Sequence, residues 1–259
     1  MSALRDLEQK GGGRLGVAVL DTAGGERAAY RGEERFPMCS TFKFLLASAV
    51  LQRIDHHEES LDRAVRIPPK PLLSHSPLTE LHAGDAMPVS ALCEAILTQS
   101  DNTAANLLLE TIGGPVGITG FARSIGDSVT RLDRTELSLN ESLAGDPRDT
   151  TSPSAMVQNL NAVLLGDVLR AASRDQLVRW MEASTTGLDR LRASLPKNWR
   201  AADKTGSNGS HTTNDIAVLW PHSKPPLVVA AYITQSPGAE EKRNGTLAEI
   251  GRMVVESIG

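Results

Sequence analysis

What most limits the fold of this chain is where its two kinds of pattern fall: strand-like segments lie at both ends and helix-like segments between them. Near the start, Leu15, Val17, Val19 and Leu20 mark a strand over 14–21, Gly24-Gly25 supplies a turn, and 27–31 returns as the second arm of a hairpin. Near the end, 199–205, 215–220 and 227–234 read as strands parted by turns at 206–209 and 221–226. A short helix over 2–10, stopped by Gly11-Gly12-Gly13, and an amphipathic one over 239–258 flank these strands. Between the ends, helices are expected from Phe42 past Asp55 and over 88–98, 103–111, 152–164, 173–183 and 188–194. The proline-rich stretch 68–77 must be loop, and so must 134–151, which is long and polar. Such a chain brings its termini together in one mixed sheet with helices on its faces and a helical insertion as a second lobe. It contains no internal repeat and no linker that would part independent domains.

At 259 residues the chain can bury a large core. A net charge of −4 offers no basic surface for nucleic acid or anionic membrane. No apolar run reaches the length of a membrane span, and no signal peptide is visible after Met1. The six histidines lack metal-ligand spacing; His56-His57-Glu58-Glu59 has no second histidine a turn beyond the acids, so no metal or cofactor is expected. Cys39 and Cys93 are the only cysteines, which allows at most one disulfide.

The chemistry starts at Cys39-Ser40-Thr41-Phe42-Lys43, ahead of the apolar run Phe44 to Leu51. Ser40 and Lys43 are three residues apart, neighbours on one face of a helix whose first turn they share. A serine hydroxyl needs a base within hydrogen-bond reach, and a lysine among Phe42, Phe44 and Leu45 is desolvated toward its neutral, basic form. The helix N-terminus adds N–H groups where an oxyanion would form. A chain of this length contains about one Ser-x-x-Lys by chance, so the pair alone decides nothing.

Two further tripeptides decide it. Ser100-Asp101-Asn102 follows Lys43 in the helical region, and Lys204-Thr205-Gly206 lies on a late strand. Each has a chance expectation of roughly 0.05 in this length. With Ser40-x-x-Lys43, in this order, they are the signature of penicillin-recognising serine enzymes. The chain resembles a class A serine β-lactamase from Leu15 to Ile250. Arg134 to Asn140 with Asp146 to Thr151 is similar to that family's omega loop, and His75, Trp199, Asp203 and Arg243-Asn244 also fit its pattern.

The resemblance implies an α+β fold, an α/β sandwich: an antiparallel five-stranded sheet from 1–35 and 187–259 with flanking helices, and an all-α lobe over 36–186. It implies hydrolysis of penicillins and cephalosporins through an acyl-enzyme. Ser40 would be the nucleophile, Lys43 a base, Ser100 a proton relay helped by Lys43 and Lys204, and Glu136 with Asn140 the holders of the deacylating water. Backbone N–H groups of Ser40 and Ser207 would stabilise the oxyanion. Lys204, Thr205, Gly206 and Ser207 would receive the substrate carboxylate, Asn102 the acylamide, and His75 would wall the cleft. Asp101 is expected to be structural, and Arg134 with Asp149 to tie the loop ends. The family's common arginine position falls at Thr213 here; some members supply the second cation from the segment before the Lys-Thr-Gly strand instead, and the resemblance implies Arg190 for that role. Each cysteine matches half of a different bridge of the family, so two free thiols are expected. Implied partners are β-lactams and mechanism-based β-lactamase inhibitors, with no nucleic acid and no membrane, for a monomer in the periplasm or outside the cell. A D,D-peptidase or a non-hydrolysing penicillin sensor would share Ser40, Lys43, Ser100 and Lys204. Both typically lack a positioned water-activating carboxylate, and Glu136 with Asn140 argues against them.

Overall fold

The computed structural model describes residues 2–258; Met1 and Gly259 lie outside it. Helix α1 (Ser2–Gly11) runs one residue into the glycine triplet and ends where Gly12 and Gly13 take positive φ. Strands β1 (Arg14–Asp21) and β2 (Gly25–Tyr30) form the expected hairpin, with a bulge between Val19 and Leu20. The two-residue strand β3 (Phe36–Pro37) leads into a 3₁₀ turn, Cys39–Thr41, and helix α2 (Phe42–Asp55). Strands β4 (Ala64–Arg66) and β5 (Ala86–Pro88) make a small ribbon that brackets the proline-rich loop. Helices α3 (Val89–Thr98), α4 (Asn102–Thr111) and α5 (Pro115–Ser124) follow. Strand β6 (Thr150–Thr151) closes the long loop by pairing with β3. Then come α6 (Pro153–Leu164), α7 (Ala171–Glu182), β7 (Arg200–Ser207), β8 (Thr213–Trp220), β9 (Leu227–Thr234) and α8 (Glu240–Ser257).

The sheet order is β2-β1-β9-β8-β7, and every neighbouring pair is antiparallel, as the resemblance implies, where the segment pattern alone suggests a mixed sheet. Alternation along the strands sorts side chains to two cores. Ala18, Ile216, Val218, Val228, Ala230 and Tyr232 face the core shared with the inner helices. Leu15, Val17, Val19, Leu219, Val229 and Ile233 face a second core with Leu4 of α1 and Leu247, Ile250 and Val254 of α8. Covered on both sides, β9 is buried along its whole length.

Helix α2 lies inside the first core, with Phe42 through Leu51 all buried. A helix apolar all round must be packed on every side, and α3, α4, α5 and α7 surround it. Thus the lysine in its first turn is placed where water does not reach.

Three local expectations are corrected. Helix α5 was missed: Gly117 and Gly120 weaken its pattern, although Gly114-Pro115 is a start signal that could have found it. The helix expected over 188–194 is only a 3₁₀ turn, Leu191–Ser194, because Arg190, at φ −112 and ψ −130, lies outside the helical region. Finally, α2 proper begins at Phe42, and Ser40 stands on the 3₁₀ turn before it.

Candidate active site

The nucleophile turn is held from three sides. Met38 N–H donates to Asp149 O (2.9 Å), Thr41 Oγ1 donates to Met38 O (2.8 Å), and Asn214 Nδ2 donates to the carbonyls of Pro37 and Met38. Cys39, with φ +44, bends the chain into the turn. Strand β7 passes so close that a Cβ on Gly206 would lie 2.7 Å from Met38 O and 3.2 Å from Ser40 N. Only glycine lets the strand edge and the serine share this space.

Lys43, wholly buried, reaches Ser40 Oγ at 3.1 Å. Its ammonium also donates to Asn102 Oδ1 (2.6 Å), Ser100 O (2.8 Å) and Ser100 Oγ (3.3 Å), and pairs with Glu136 Oε1 at 3.0 Å. Burial pulls its pKa below the usual lysine value, and the Glu136 carboxylate opposes that pull. The desolvation expected from the flanking Phe42, Phe44 and Leu45 is therefore present, but Lys43 also has a counter-ion.

Glu136 sits on the 134–151 loop with its side chain fully covered. Asn106, one helical turn beyond Asn102 on α4, clamps its backbone from both directions: Nδ2 donates to Glu136 O and Oδ1 accepts from Glu136 N, each at 2.9 Å. One carboxylate oxygen lies 3.5 Å from Ser40 Oγ, and the other accepts Asn140 Nδ2 at 2.6 Å. The loop ends are tied as expected. Asp149 accepts from Arg134 Nε (2.6 Å) and from the N–H groups of Asp133 and Arg134.

Ser100, with φ +59, projects Oγ between the two lysines, 3.3 Å from Lys43 and 3.2 Å from Lys204. Asp101 is structural: it caps α4 at Ala104 N and accepts from Leu78 N, Thr79 N and Thr79 Oγ1. Asn102 spends its oxygen on Lys43 and one N–H on Ser74 O (2.9 Å), which leaves one N–H. Lys204 has no exposure; burial first, and then the charge of Lys43, pulls its pKa down to about 7.

These side chains line one cleft of about 570 Å³ that holds Ser40, Ser100, Asn102, Asn140, Thr205, Gly206 and Ser207, with His75 at its wall. His75 Nε2 meets Gln99 O at 2.9 Å. Arg190 also lines the cleft: Nη1 donates to the carbonyls of Gly206 (3.2 Å) and Asn214 (2.9 Å), Nε donates to Asn244 Oδ1 (3.0 Å), and Nη2 pairs with Glu240 Oε1 (3.2 Å). Lys43, Glu136 and Lys204 stand behind this lining.

Sequence reasoning missed Asn106, Thr186, whose hydroxyl meets Thr205 Oγ1 at 2.7 Å, and Glu240. Asn106 was findable from its helical spacing to Asn102; the other two had no local signal. Both cysteines are free and buried, Cys39 beside the nucleophile and Cys93 on α3. Among the described residues, no group of side chains is arranged to hold a metal ion.

Residues 1–258 match the model of the beta-lactamase enzyme family. The chain is 50% identical over 254 residues to beta-lactamase L2 of Stenotrophomonas maltophilia, covering 98% of this chain and 84% of that protein. Beta-lactamase CTX-M-25 of Escherichia coli is 46% identical over 98% of this chain and 87% of its own length. Among solved structures, an ancestral (GNCA) class A beta-lactamase superposes with a TM-score of 0.97 at 59% identity, covering 99% of this chain and 98% of that one.

Proposed function

The chain belongs to the beta-lactamase enzyme family, and from that premise we propose that it is a class A serine β-lactamase whose named residues act as follows. It hydrolyses the β-lactam amide of penicillins and cephalosporins and so confers antibiotic resistance. The observation that carries the assignment of roles is the unbroken contact from Ser40 Oγ to Lys43 Nζ (3.1 Å) to Glu136 Oε1 (3.0 Å).

Lys43 first passes a proton to Glu136 across their 3.0 Å contact, and Ser40 Oγ then attacks the ring carbonyl and gives its proton to the neutral amine. The oxyanion is held by the N–H groups of Ser40 and Ser207, on the two backbones that Gly206 lets approach. The C–N bond then breaks, and the ring nitrogen takes a proton from Ser100, which recovers one from Lys43 or Lys204. Glu136, oriented by Asn140 and having returned its proton to Lys43, takes one from water as that water attacks the ester, and Ser40 leaves with a proton from Lys43. The substrate carboxylate meets Thr205, Ser207 and Arg190 at the far end of the cleft, with the Lys204 charge just behind them.

We divide the chain into an α/β lobe, 1–35 with 187–259, and a helical lobe, 36–186, with the cleft between them. No helix among the described residues is long and apolar enough to cross a membrane. We place the protein in the periplasm or outside the cell, as a monomer open to β-lactams and their mechanism-based inhibitors. Steady-state hydrolysis of benzylpenicillin, a chromogenic cephalosporin and a carbapenem by the purified chain tests the reading and sets the spectrum. Turnover of the first two, abolished by Ser40→Ala, is expected. A single stoichiometric acylation without turnover would instead make the protein a sensor.

A further inference from the structure

The Arg190 guanidinium has five N–H donors. Nε gives its one to Asn244, and Nη1 gives its two to the carbonyls of Gly206 and Asn214. Nη2 has two, and one is engaged by Glu240 Oε1 at 3.2 Å. Glu240 opens helix α8 and lines the same cleft as Ser40 and Ser207, with its side chain 40% exposed. A carboxylate suits the first turn of a helix because it meets the positive end of the helix dipole. That accounts for an acid at this position, and not for its reach to Nη2, the one Arg190 nitrogen whose N–H groups are not all engaged by Asn244, Gly206 and Asn214. Glu241, the next residue of the same turn, is exposed and satisfies the helix end equally well.

A substrate carboxylate at Arg190 must share Nη2 with a carboxylate already there. We propose that Glu240 is a specificity-determining residue: it competes with the substrate for Arg190, disfavouring β-lactams whose only charge is negative and favouring those that carry a cation beside the ring carboxylate. The proposal rests on the reading of Arg190 as a carboxylate anchor. Two like charges about 6 Å apart at a wet cleft wall repel by an amount worth a few-fold in affinity. The attraction of Glu240 for a substrate cation is of the same size and opposite sign.

The test is steady-state kinetics of the full chain with two probes: benzylpenicillin, a monoanion, and a cephalosporin bearing a pyridinium group on its C3 methylene, a zwitterion. For Glu240→Gln, KM for benzylpenicillin should fall about 3- to 10-fold with little change in kcat, and KM for the zwitterion should rise. Glu241→Gln should leave both unchanged. Equal shifts in the same direction for both probes, or no shift, would overturn the role of Glu240. Arg190→Ala is measured alongside. If it raises the benzylpenicillin KM while Glu240→Gln does nothing, only the Glu240 proposal fails. If Arg190→Ala leaves that KM unchanged, the anchor reading fails and takes the proposal with it.

Discussion

Asn140 donates its side-chain N–H to Glu136 Oε2 at 2.6 Å, and its own Oδ1, though buried, has no hydrogen-bond partner. A buried amide oxygen is costly to leave unmade, and this one lies beside the carboxylate oriented toward Ser40. That free acceptor is what the proposed holding of a hydrolytic water calls for, since a water can donate an O–H to it.

Glu136→Gln or Glu136→Ala should acylate and then stall. Losing a general base slows a step by about 10²- to 10⁴-fold, enough for the ester to accumulate. Intact-mass spectrometry after mixing with benzylpenicillin should show a persistent adduct one substrate heavier, lost in the Ser40→Ala background. Normal turnover by either variant would remove Glu136 from deacylation.

The pH dependence should carry the signature of Lys204. Burial and the neighbouring Lys43 charge bring its pKa down to about 7. A lysine is charged below its pKa, so the cation that receives the substrate carboxylate is present below about pH 7 and lost above it. The kcat/KM for benzylpenicillin reports the free enzyme and should fall on that alkaline limb. In Lys204→Arg the guanidinium stays charged, and the limb should move up beyond pH 9. An unmoved limb would assign it to another group, with Lys43 the first candidate.

How much of this was legible in the sequence follows from the range of each interaction. Ser40, Lys43, Ser100 and Lys204 sit in short motifs, and they came together within hydrogen-bond distance. The cap at Asp101 was readable because turn chemistry is local, and the Arg134–Asp149 tie, 15 residues apart, was expected from the loop's resemblance to the family's. The antiparallel pairing of β1 with β9 was not readable from strand patterns, since it depends on how the intervening helices fold back, whereas β1–β2, β7–β8 and β8–β9 are joined by short turns that make them antiparallel. Nor was the fate of 188–194. Its apolar spacing suits a helix, but Arg190, whose side chain bonds to carbonyls of β7 and β8, has a non-helical backbone. Glu240 lies 50 residues from Arg190, and no motif announces a contact that only packing of α8 creates.

The two thiols should be silent until the protein unfolds. Burial pushes the Cys39 thiol up to about 12, and the Cys93 thiol is raised by the same cause. A protonated, covered thiol does not react. A thiol reagent at pH 8 should label neither cysteine in the native protein and both in denaturant without reductant. Fewer than two groups in denaturant would mean that a disulfide forms.

Arg190 and Arg192 are two residues apart and should fail in different ways. Arg190 lines the cleft, held in place by Asn244, the Gly206 and Asn214 carbonyls and Glu240. Arg190→Ala should lose about 1.5–3 kcal/mol of transition-state binding, the worth of one hydrogen bond to a charged group, or about 10- to 150-fold in kcat/KM. Arg192 turns the other way. It donates to the carbonyls of Ser184, Glu182 and Ala201 and pairs with Asp203 at 3.1 Å, so it fastens the end of α7 to β7. Without it, Asp203, which is fully buried and whose pKa burial already pushes up to about 6, loses its nearest cation. Arg192→Ala should therefore cost stability, about 3 kcal/mol, with a much smaller change in benzylpenicillin kcat/KM below its melting temperature. Urea denaturation and steady-state kinetics on the same two preparations decide the matter. A kinetic loss in Arg192→Ala matching that of Arg190→Ala would mean that the substrate cation is not Arg190.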